Sequence, residues 1–364
     1  MIDLYEVLSA IRPADREAMD RAQKRQAELA KPPGSLGGLE DMSIRLAGIT
    51  GKVQNRVEAC RVLVFAADNG VIAEGVASTP ESVTLTQCIN MTRHKTGMSA
   101  LAHYFGNSVV VTDVGIHCTG TPEGVVARKV RPGTRNLAKE PAMTRQEVLQ
   151  AMEAGLEAAA NAASDGMDAV GIGEMGIGNT TTSAAVLASL LGLPVKDVTG
   201  RGAGLTDAAF EKKKNVIEGA LALHNPDPAD PVDVLAKVGG LDLAAMTGAF
   251  LGCAIHRIPA VVDGFISIVA ALTAVRLCPQ VRDFLFLSHA SYELGYRKAA
   301  EALELEPCLL LGMRLGEGSG CPIAFQILKA ACAVMCDMAT FAEGAIDDSY
   351  LAELRTGDAF QVTL

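Results

Sequence analysis

Tryptophan is absent from this chain, and aromatic residues make up only 4% of its 364 residues. Proteins that bind single-stranded nucleic acid stack bases on aromatic side chains, so this scarcity argues against such a platform. The net charge of −10 agrees, because an acidic surface repels polyanions. We therefore expect no nucleic-acid partner, and any phosphate that binds should be small and held locally by backbone N–H groups and a few cations.

Paired cysteine motifs are also missing. Nine cysteines are scattered singly along the chain, and none belongs to a CxxC pair. An odd, unpaired set of this kind implies neither a disulfide framework nor a metal site. No motif implies a cofactor either, because the glycine loops described below lack the signatures of a Walker loop and of a dinucleotide site.

Long uninterrupted apolar runs are missing as well. Residues 1–6 contain no basic stretch that leads into an apolar core, and the apolar segment 255–274 is broken by charged residues and a proline. We therefore expect a cytoplasmic protein with no membrane contact. Hydrophobic residues are nevertheless abundant, at 49% against 20% charged, which fits a well-packed globular protein. The length favours either one large domain with a smaller one or a single enlarged domain.

From residue 61 onward, short apolar runs alternate with longer helical patterns. This alternation is typical of an α/β fold in which a parallel sheet carries helices on both faces, as in Rossmann-like proteins. The predicted strands are 62–67, 108–114, 169–172, 260–262, 284–287 and 308–311. The predicted helices are 145–163, 180–191, 208–223, 243–254, 291–303 and 322–341.

The amino-terminal 50 residues are expected to form a separate helical layer. They are predicted as two helices joined by the proline- and glycine-rich segment 31–38, because a proline pair stops a helix and glycine permits a tight re-entry. The last predicted helix, 322–341, has an apolar face with helical spacing, and we expect it to pack on these amino-terminal helices.

One carboxylate, Glu317, lies between two glycines in the segment 313–320, Met-Arg-Leu-Gly-Glu-Gly-Ser-Gly. The segment follows a predicted strand, and ligands of open parallel sheets bind beyond the carboxyl ends of strands. Flanking glycines keep Cβ atoms away from a ligand and allow positive φ, so Glu317 can point into a shared space. Taken alone, the pattern fits a glycine-rich turn with a helix N-terminal charge equally well.

Two further glycine loops indicate an anion site. Residues 171–182 run from a predicted strand into a helix, where free N–H groups, Asn179 and three threonines could hold a phosphate monoester. Residues 200–206 again precede a helix, and two such loops could enclose one phosphate. Within that helix Lys212, Lys213 and Lys214 are consecutive, so at most two can face one pocket. The alternative for the first loop is a helix cap with a flexible approach.

The loops also carry a second carboxylate, Glu174, which could converge with Glu317. Such a pair suits general acid–base chemistry, because an apolar or like-charged neighbourhood raises one pKa toward neutrality. Asp68, Asp263 and Ser288 also follow predicted strands, although a turn or cap role is the simpler interpretation for each. The residues alone thus indicate a small phosphorylated substrate and a carboxylate base, and they do not name the reaction.

Six motifs, in order and over nearly the whole length, resemble the nicotinate-nucleotide:dimethylbenzimidazole phosphoribosyltransferase family, the CobT enzymes of cobamide biosynthesis. They begin at Lys31 (Lys-Pro-Pro-Gly-Ser-Leu), Ala66 (Ala-Ala-Asp), Gly173 (Gly-Glu-Met-Gly-Ile-Gly-Asn-Thr-Thr), Lys237 (Lys-Val-Gly-Gly), Asp263 (Asp-Gly-Phe) and Met313 (the segment 313–320). The main departure is Asn69, where many members of the family have histidine.

The resemblance implies transfer of 5-phosphoribose from nicotinate mononucleotide to a lower-ligand base, typically 5,6-dimethylbenzimidazole, with release of nicotinate. The product is α-ribazole 5′-phosphate, an intermediate in cobamide (vitamin B12) nucleotide-loop assembly. It also implies a homodimer, a large α/β domain of residues 61–334, and a small helical domain built from residues 1–60 and 335–364.

By the same resemblance, Glu317 is the general base that removes the N–H proton of the incoming base, with Glu174 a second acidic group. Lys213 is implied to stabilise charge. The remaining substrate contacts implied by motif position are Thr79, Pro80, Gln87, Met175, Gly176, Gly178, Asn179, Thr180, Gly202, Asp263, Ser288 and Gly316. The alternatives are the same transfer to adenine or a phenol, or a regulatory protein that binds nucleotides without turnover.

Overall fold

Six parallel strands form a single sheet in the computed structural model, which describes residues 2–351. The strands are β1 Cys60–Ala67, β2 Ser108–Gly115, β3 Val126–Ala127, β4 Ala169–Met175, β5 Ala260–Val262 and β6 Leu285–Leu287. Their spatial order is β3-β2-β1-β4-β5-β6, and every pairing is parallel. The direction of strand progression reverses between β1 and β4, and ligands of open α/β sheets bind in the crevice at such a point.

Fourteen α-helices surround this sheet within the described residues. They are α1 Leu4–Ala10, α2 Arg16–Glu28, α3 Gly38–Thr50, α4 Ser82–Thr92, α5 Gly97–Tyr104, α6 Arg145–Ser164, α7 Asn179–Leu191, α8 Val195–Val198, α9 Asp207–His224, α10 Pro231–Val238, α11 Leu241–Ile255, α12 Phe265–Leu277, α13 Leu294–Leu303 and α14 Cys321–Asp337. Short 3-10 helices cover Gly70–Glu74, Pro279–Phe284 and Ser349–Leu351.

The helices pack in two groups, one on each face of the sheet. On one face α11 and α12 contact the strands and are backed by α6, α7 and α10, and on the other α4, α5 and α14 contact the strands. Helix α11 is buried along almost its whole length, because Gly155 and Gly248 let it approach α6 closely. A Cβ at Gly155 would overlap the carbonyl of Ala245, and one at Gly248 the carbonyl of Met152. The predicted α/β fold is confirmed.

The amino-terminal layer differs from its prediction in one respect. The stretch before residue 31 forms two helices rather than one, because the chain turns through Pro13 and restarts at the N-cap Asp15. As predicted, α14 packs on this layer: it contacts α3, and Ala22, Ala47 and Met335 share a small apolar cluster. The division into two domains stays a prediction, and its segment 352–364 lies outside the described residues.

Several other predicted elements differ from the structure, and strand β4, predicted to end at residue 172, continues to Met175. Residues 308–311 do not form a strand, because they make only the isolated bridge Leu309 to His289, and Leu310 is 81% exposed. The helix predicted at 322–341 ends at Asp337, and the one predicted at 291–303 begins at Leu294. The two-residue strand β3 is exposed, so it carries no apolar signal.

Two further findings concern the whole described region. Between residues 2 and 351 no helix is both long and apolar enough to cross a bilayer. All nine cysteines lie in this region, and each is a free thiol.

Candidate active site

A cleft of about 540 Å³ opens at the carboxyl ends of β4 and β5, beside the point where the strand order reverses. Its walls come from six segments, and all three predicted glycine loops contribute. The residues that line it fall within 76–87, 174–180, 201–205, 263–267, 291–293 and 314–317. We call the part around Glu174 and Glu317 the carboxylate end, and the part around Thr180 and Gly202 the lysine end, because Lys213 lies behind it.

Glycines in β4 allow the loop that carries Glu317 to lie directly on the strand. A Cβ at Gly173 would come within 2.5 Å of the Gly318 nitrogen, and one at Gly171 would overlap Cys321 at the start of α14. Glu317 itself has a φ of +64°, between two glycines that also have positive φ. A left-handed conformation is costly for a residue with a Cβ. The backbone at Glu317 is therefore strained in the conformation that directs its carboxylate into the cleft.

The Glu317 carboxylate is 6% exposed and meets two N–H donors from the far wall of the cleft. The backbone N–H of Met98, in the first turn of α5, donates to Oε2 at 3.3 Å. The side chain of Gln87, on α4, donates to Oε1 at 3.4 Å. These two donors fix the direction in which the Glu317 carboxylate points.

Asp263 anchors the loop that carries Glu317 through two hydrogen bonds. Its two carboxylate oxygens accept the N–H groups of Gly318 at 3.0 Å and Gly320 at 2.7 Å. Burial raises the pKa of Asp263, while His289, 3.7 Å away, opposes that shift. Ser288 was implied to be a substrate contact, but it is fully buried outside the cleft lining, where its hydroxyl bonds to the Asp263 carbonyl and His289.

Glu174 is linked to Glu317 on one side and to Asp242 on the other. Its Oε1 accepts the backbone N–H of Glu317 at 3.2 Å, and its Oε2 accepts the side-chain amide of Asn179. The same amide nitrogen donates to Asp242 at 3.1 Å, so its two hydrogens join two buried carboxylates. Burial raises the pKa of Glu174 to about 8, and the neighbouring Asp242 adds to the rise. Burial likewise raises the pKa of Asp242 to about 6.

The Asn179 geometry corrects one expectation. We expected its side chain to donate to a phosphate, but the amide is committed to the two carboxylates, and its backbone N–H donates to Gly176. The N–H of Thr180, one residue further into α7, has no hydrogen-bond partner among residues 2–351. The backbone N–H of Thr180 is therefore a donor that this loop leaves free for an anion.

At the lysine end the two remaining glycine loops meet. Gly202 has a φ of +56°, and a Cβ there would come within 2.9 Å of the Thr180 hydroxyl. The ammonium of Lys213 donates to that hydroxyl at 2.9 Å and to the Gly200 carbonyl at 3.1 Å. Lys213 is fully buried outside the lining of the cleft and is linked to that lining by its hydrogen bond to Thr180. Burial lowers its pKa to about 8, and Glu293 opposes this shift.

The other expected residues lie in the lining of the cleft or next to it. Thr79, Gln87, Met175, Gly176, Gly178 and Gly316 all line the cleft. Pro80 is next to the lining, where its carbonyl accepts the N–H of Val83 as α4 begins. Of the three consecutive lysines, Lys212 is exposed and Lys214 pairs with Glu211, so only Lys213 approaches the cleft.

Sequence reasoning missed several residues of this region. Asp242, Ser291, Glu293 and Arg314 are among the polar ones: the last three line the cleft, and Asp242 lies behind it. Asp242 had a local signal, because an acid two residues after a glycine pair marks a helix N-terminus, and α11 begins at Leu241. The position of Ser291 and Glu293 depends on how the chain leaves β6, for which we recognised no signal.

Comparisons with known proteins agree with this geometry. The sequence model of a family described as “Phosphoribosyltransferase” matches residues 11–346. A Clostridium perfringens protein named nicotinate-nucleotide–dimethylbenzimidazole phosphoribosyltransferase is 50% identical over 359 residues, which cover 99% of each chain. A Geobacter metallireducens protein of the same name is 47% identical over 94% of this chain and 98% of its own. The crystal structure of CobT from Thermus thermophilus matches with a TM-score of 0.88 and 41% identity, covering 91% of this chain and 99% of that one.

Proposed function

The chain belongs to the family of nicotinate-nucleotide–dimethylbenzimidazole phosphoribosyltransferases, and on that premise we propose how the residues of its cleft carry the reaction. The reaction transfers 5-phosphoribose from nicotinate mononucleotide to 5,6-dimethylbenzimidazole and belongs to cobamide assembly. Nicotinate leaves, and α-ribazole 5′-phosphate forms. The observation that supports our assignment of roles is the placement of Glu317 and Glu174 in one cleft with two glycine loops.

The phosphate of nicotinate mononucleotide is assigned to the lysine end. The free N–H of Thr180 and its hydroxyl, whose oxygen already accepts from Lys213, can both donate to phosphate oxygens. Gly202 and the rest of the loop 201–205 form the facing wall. This placement puts the ribose between the two ends and its reacting carbon near the carboxylates.

Glu317 is assigned as the general base. Met98 and Gln87 hold its carboxylate while it removes the N–H proton of the benzimidazole. The other ring nitrogen then forms the bond to the ribose carbon as the bond to nicotinate breaks. The electron pair of the broken bond neutralises the pyridinium, so nicotinate leaves without needing a proton.

Glu174 is assigned to the transition state, which should resemble an oxocarbenium ion. A carboxylate close to the ribose stabilises positive charge that develops there. Since the pKa of Glu174 is raised to about 8, the group gains its negative charge as the pH rises through that value. The rate should therefore rise with pH in this range.

The decisive experiment incubates the protein with nicotinate mononucleotide and a panel of benzimidazoles, purines and phenols. We expect nicotinate release that depends on an acceptor, with an α-linked nucleotide identified by NMR for dimethylbenzimidazole. Release with none of the acceptors would refute the assignment. A preference for adenine or a phenol would keep the transfer and change the acceptor.

Two further parts of the proposal are the homodimer and a cytoplasmic location. Leu310, Leu311 and Leu315, on the segment that reaches the cleft, are 81%, 59% and 58% exposed, as expected of a surface that a second subunit covers. Light scattering should give twice the mass of one chain. A monomer at micromolar concentration would contradict the dimer.

A further inference from the structure

We propose that Asp242 is a positioning residue that, through the side-chain amide of Asn179, fixes both the orientation and the charge state of Glu174. The inference rests on the proposed role of Glu174 at the ribose. It extends that role to a residue that lies behind the cleft and that the motifs did not indicate.

The first support is the shared amide. Asn179 has two amide hydrogens, and its nitrogen donates both to Glu174 and to Asp242, the latter at 3.1 Å. Neither carboxylate can turn away without breaking a hydrogen bond of this buried amide, which is costly. The orientation of Glu174 therefore depends on Asp242.

The second support is the lack of a compensating cation. Neither Glu174 nor Asp242 forms a salt bridge with a lysine, arginine or histidine in the segment 2–351. Besides the amide of Asn179, Asp242 accepts the backbone N–H of Leu243 at 2.9 Å, and neither partner carries a charge. Two buried carboxylates that share one amide repel each other, and this repulsion favours a proton on one of them.

The third support comes from Asn69, the position that departs from many relatives. It is fully buried, and its Oδ1 has no hydrogen-bond partner in the described structure. Its Oδ1 and a carboxylate oxygen of Asp242 both border the space above Gly240. Its amide nitrogen likewise borders the space above Gly176 together with the other Asp242 oxygen, so this neutral side chain lies beside the carboxylate without adding a compensating charge.

The groups that face this pair are also acidic. Asp263 after β5 and the loop of Glu317 approach Glu174, and Asp68 after β1 approaches Asp242. Among these acidic groups, Asp242 contributes most to the raised pKa of Glu174, and only burial contributes more. Its removal should let Glu174 ionise at lower pH.

The test compares the pH dependence of kcat for Asp242→Asn and Asp242→Glu with that of the unaltered enzyme. Asn keeps the shape and can still accept from Asn179, whereas Glu keeps the charge. We expect the rising limb to move to lower pH by roughly one unit in Asp242→Asn, as removal of a nearby like charge predicts. In Asp242→Glu it should stay near its original position.

An unshifted limb in a folded Asp242→Asn enzyme, with the rate lowered equally at all pH values, would show a structural role and overturn the inference. An equal shift in both variants would also overturn it. If the unaltered enzyme releases no nicotinate with any acceptor, the proposed function fails instead, and the two failures are distinguishable.

A second measurement does not depend on folding of an Asp242 variant. Infrared titration of the unaltered protein should show a protonated carboxyl band that disappears near pH 8 and is missing in Glu174→Gln. If no band at neutral pH is lost in Glu174→Gln, Glu174 is already ionised and the inference is wrong.

Discussion

At the carboxylate end of the cleft, Glu174 and Asp242 share one amide, and burial favours a proton on Glu174. At the lysine end the enclosed group is an ammonium, and burial favours its loss of a proton. The pKa of Glu174 is raised to about 8, and the pKa of Lys213 is lowered to about 8. Desolvation works against charge of either sign, so one pH range controls charge at both ends.

The comparison predicts a division of labour: the carboxylate end should govern the chemical step, and the lysine end should govern binding of nicotinate mononucleotide. A substitution at the carboxylate end should therefore change kcat with little effect on binding of nicotinate mononucleotide. A substitution at the lysine end should weaken that binding with little effect on kcat.

The largest effect is expected for Glu317→Gln, which keeps the shape but removes the base. The value of kcat should fall by roughly 10²- to 10⁴-fold, while binding of nicotinate mononucleotide, measured by calorimetry, is unchanged. Glu306→Gln, an exposed carboxamide substitution away from this cleft, is the matched control and should leave kcat unaltered. An intact rate in Glu317→Gln would refute the base assignment.

Thr180→Ala should act at the other end. It removes a hydroxyl that can donate to phosphate, and hydrogen bonds to charged groups contribute about 1.5–3 kcal/mol, so the Kd for nicotinate mononucleotide should rise about 10- to 100-fold. Thr180→Ser retains the hydroxyl and should bind almost normally. Equal weakening of free dimethylbenzimidazole would indicate that the residue supports the fold rather than the phosphate.

The pH dependence of binding should follow Lys213. Its pKa is lowered to about 8, so the ammonium predominates below that pH and is lost as the pH rises above it. The substrate phosphate stays doubly charged, so its Kd should rise about five- to tenfold between roughly pH 7 and 9. Lys213→Met should abolish this dependence, and Lys212→Met, at an exposed neighbour, should preserve it. A flat profile in the unaltered protein would contradict the role of Lys213.

Gln87→Ala should give the smallest effect. Its hydrogen bond to Glu317 is long, at 3.4 Å, and Met98 still holds the carboxylate. We expect kcat/KM for dimethylbenzimidazole to fall roughly two- to fivefold, with no change in binding of nicotinate mononucleotide. If only the binding of nicotinate mononucleotide changed, the assignment of Gln87 to the carboxylate end would be wrong.

Local signals predicted the elements that are both buried and regular. Strand β5 was predicted with its observed bounds, and the helix that became α6 with an error of one residue, since each has an apolar pattern that matches its burial. The run at 308–311 failed because apolar residues need not be buried: Leu310 and Leu311 are exposed. Whether such a run joins a sheet depends on a neighbouring strand that its own composition does not reveal.

The candidate site divides in the same way. Glu174, Glu317 and the glycine loops could be found because glycine density at a strand end is a local property. The hydrogen-bond partners of the Asn179 side chain could not be predicted, because one of them, Asp242, is distant in sequence. The packing of α11 brings Asp242 next to Asn179. Spacing indicates which donors are present, whereas long-range packing decides where they point.

The hydrogen bond from the Glu317 backbone to Glu174 has a mechanical consequence. Because Gly173 lets the loop of Glu317 rest on β4, lifting that loop would disconnect both carboxylates at once. The wall that carries residues 76–83 contributes neither carboxylate. Substrate should therefore enter, and product leave, through movement of that wall. Such movement would keep Glu174 and Glu317 in place while ligands exchange.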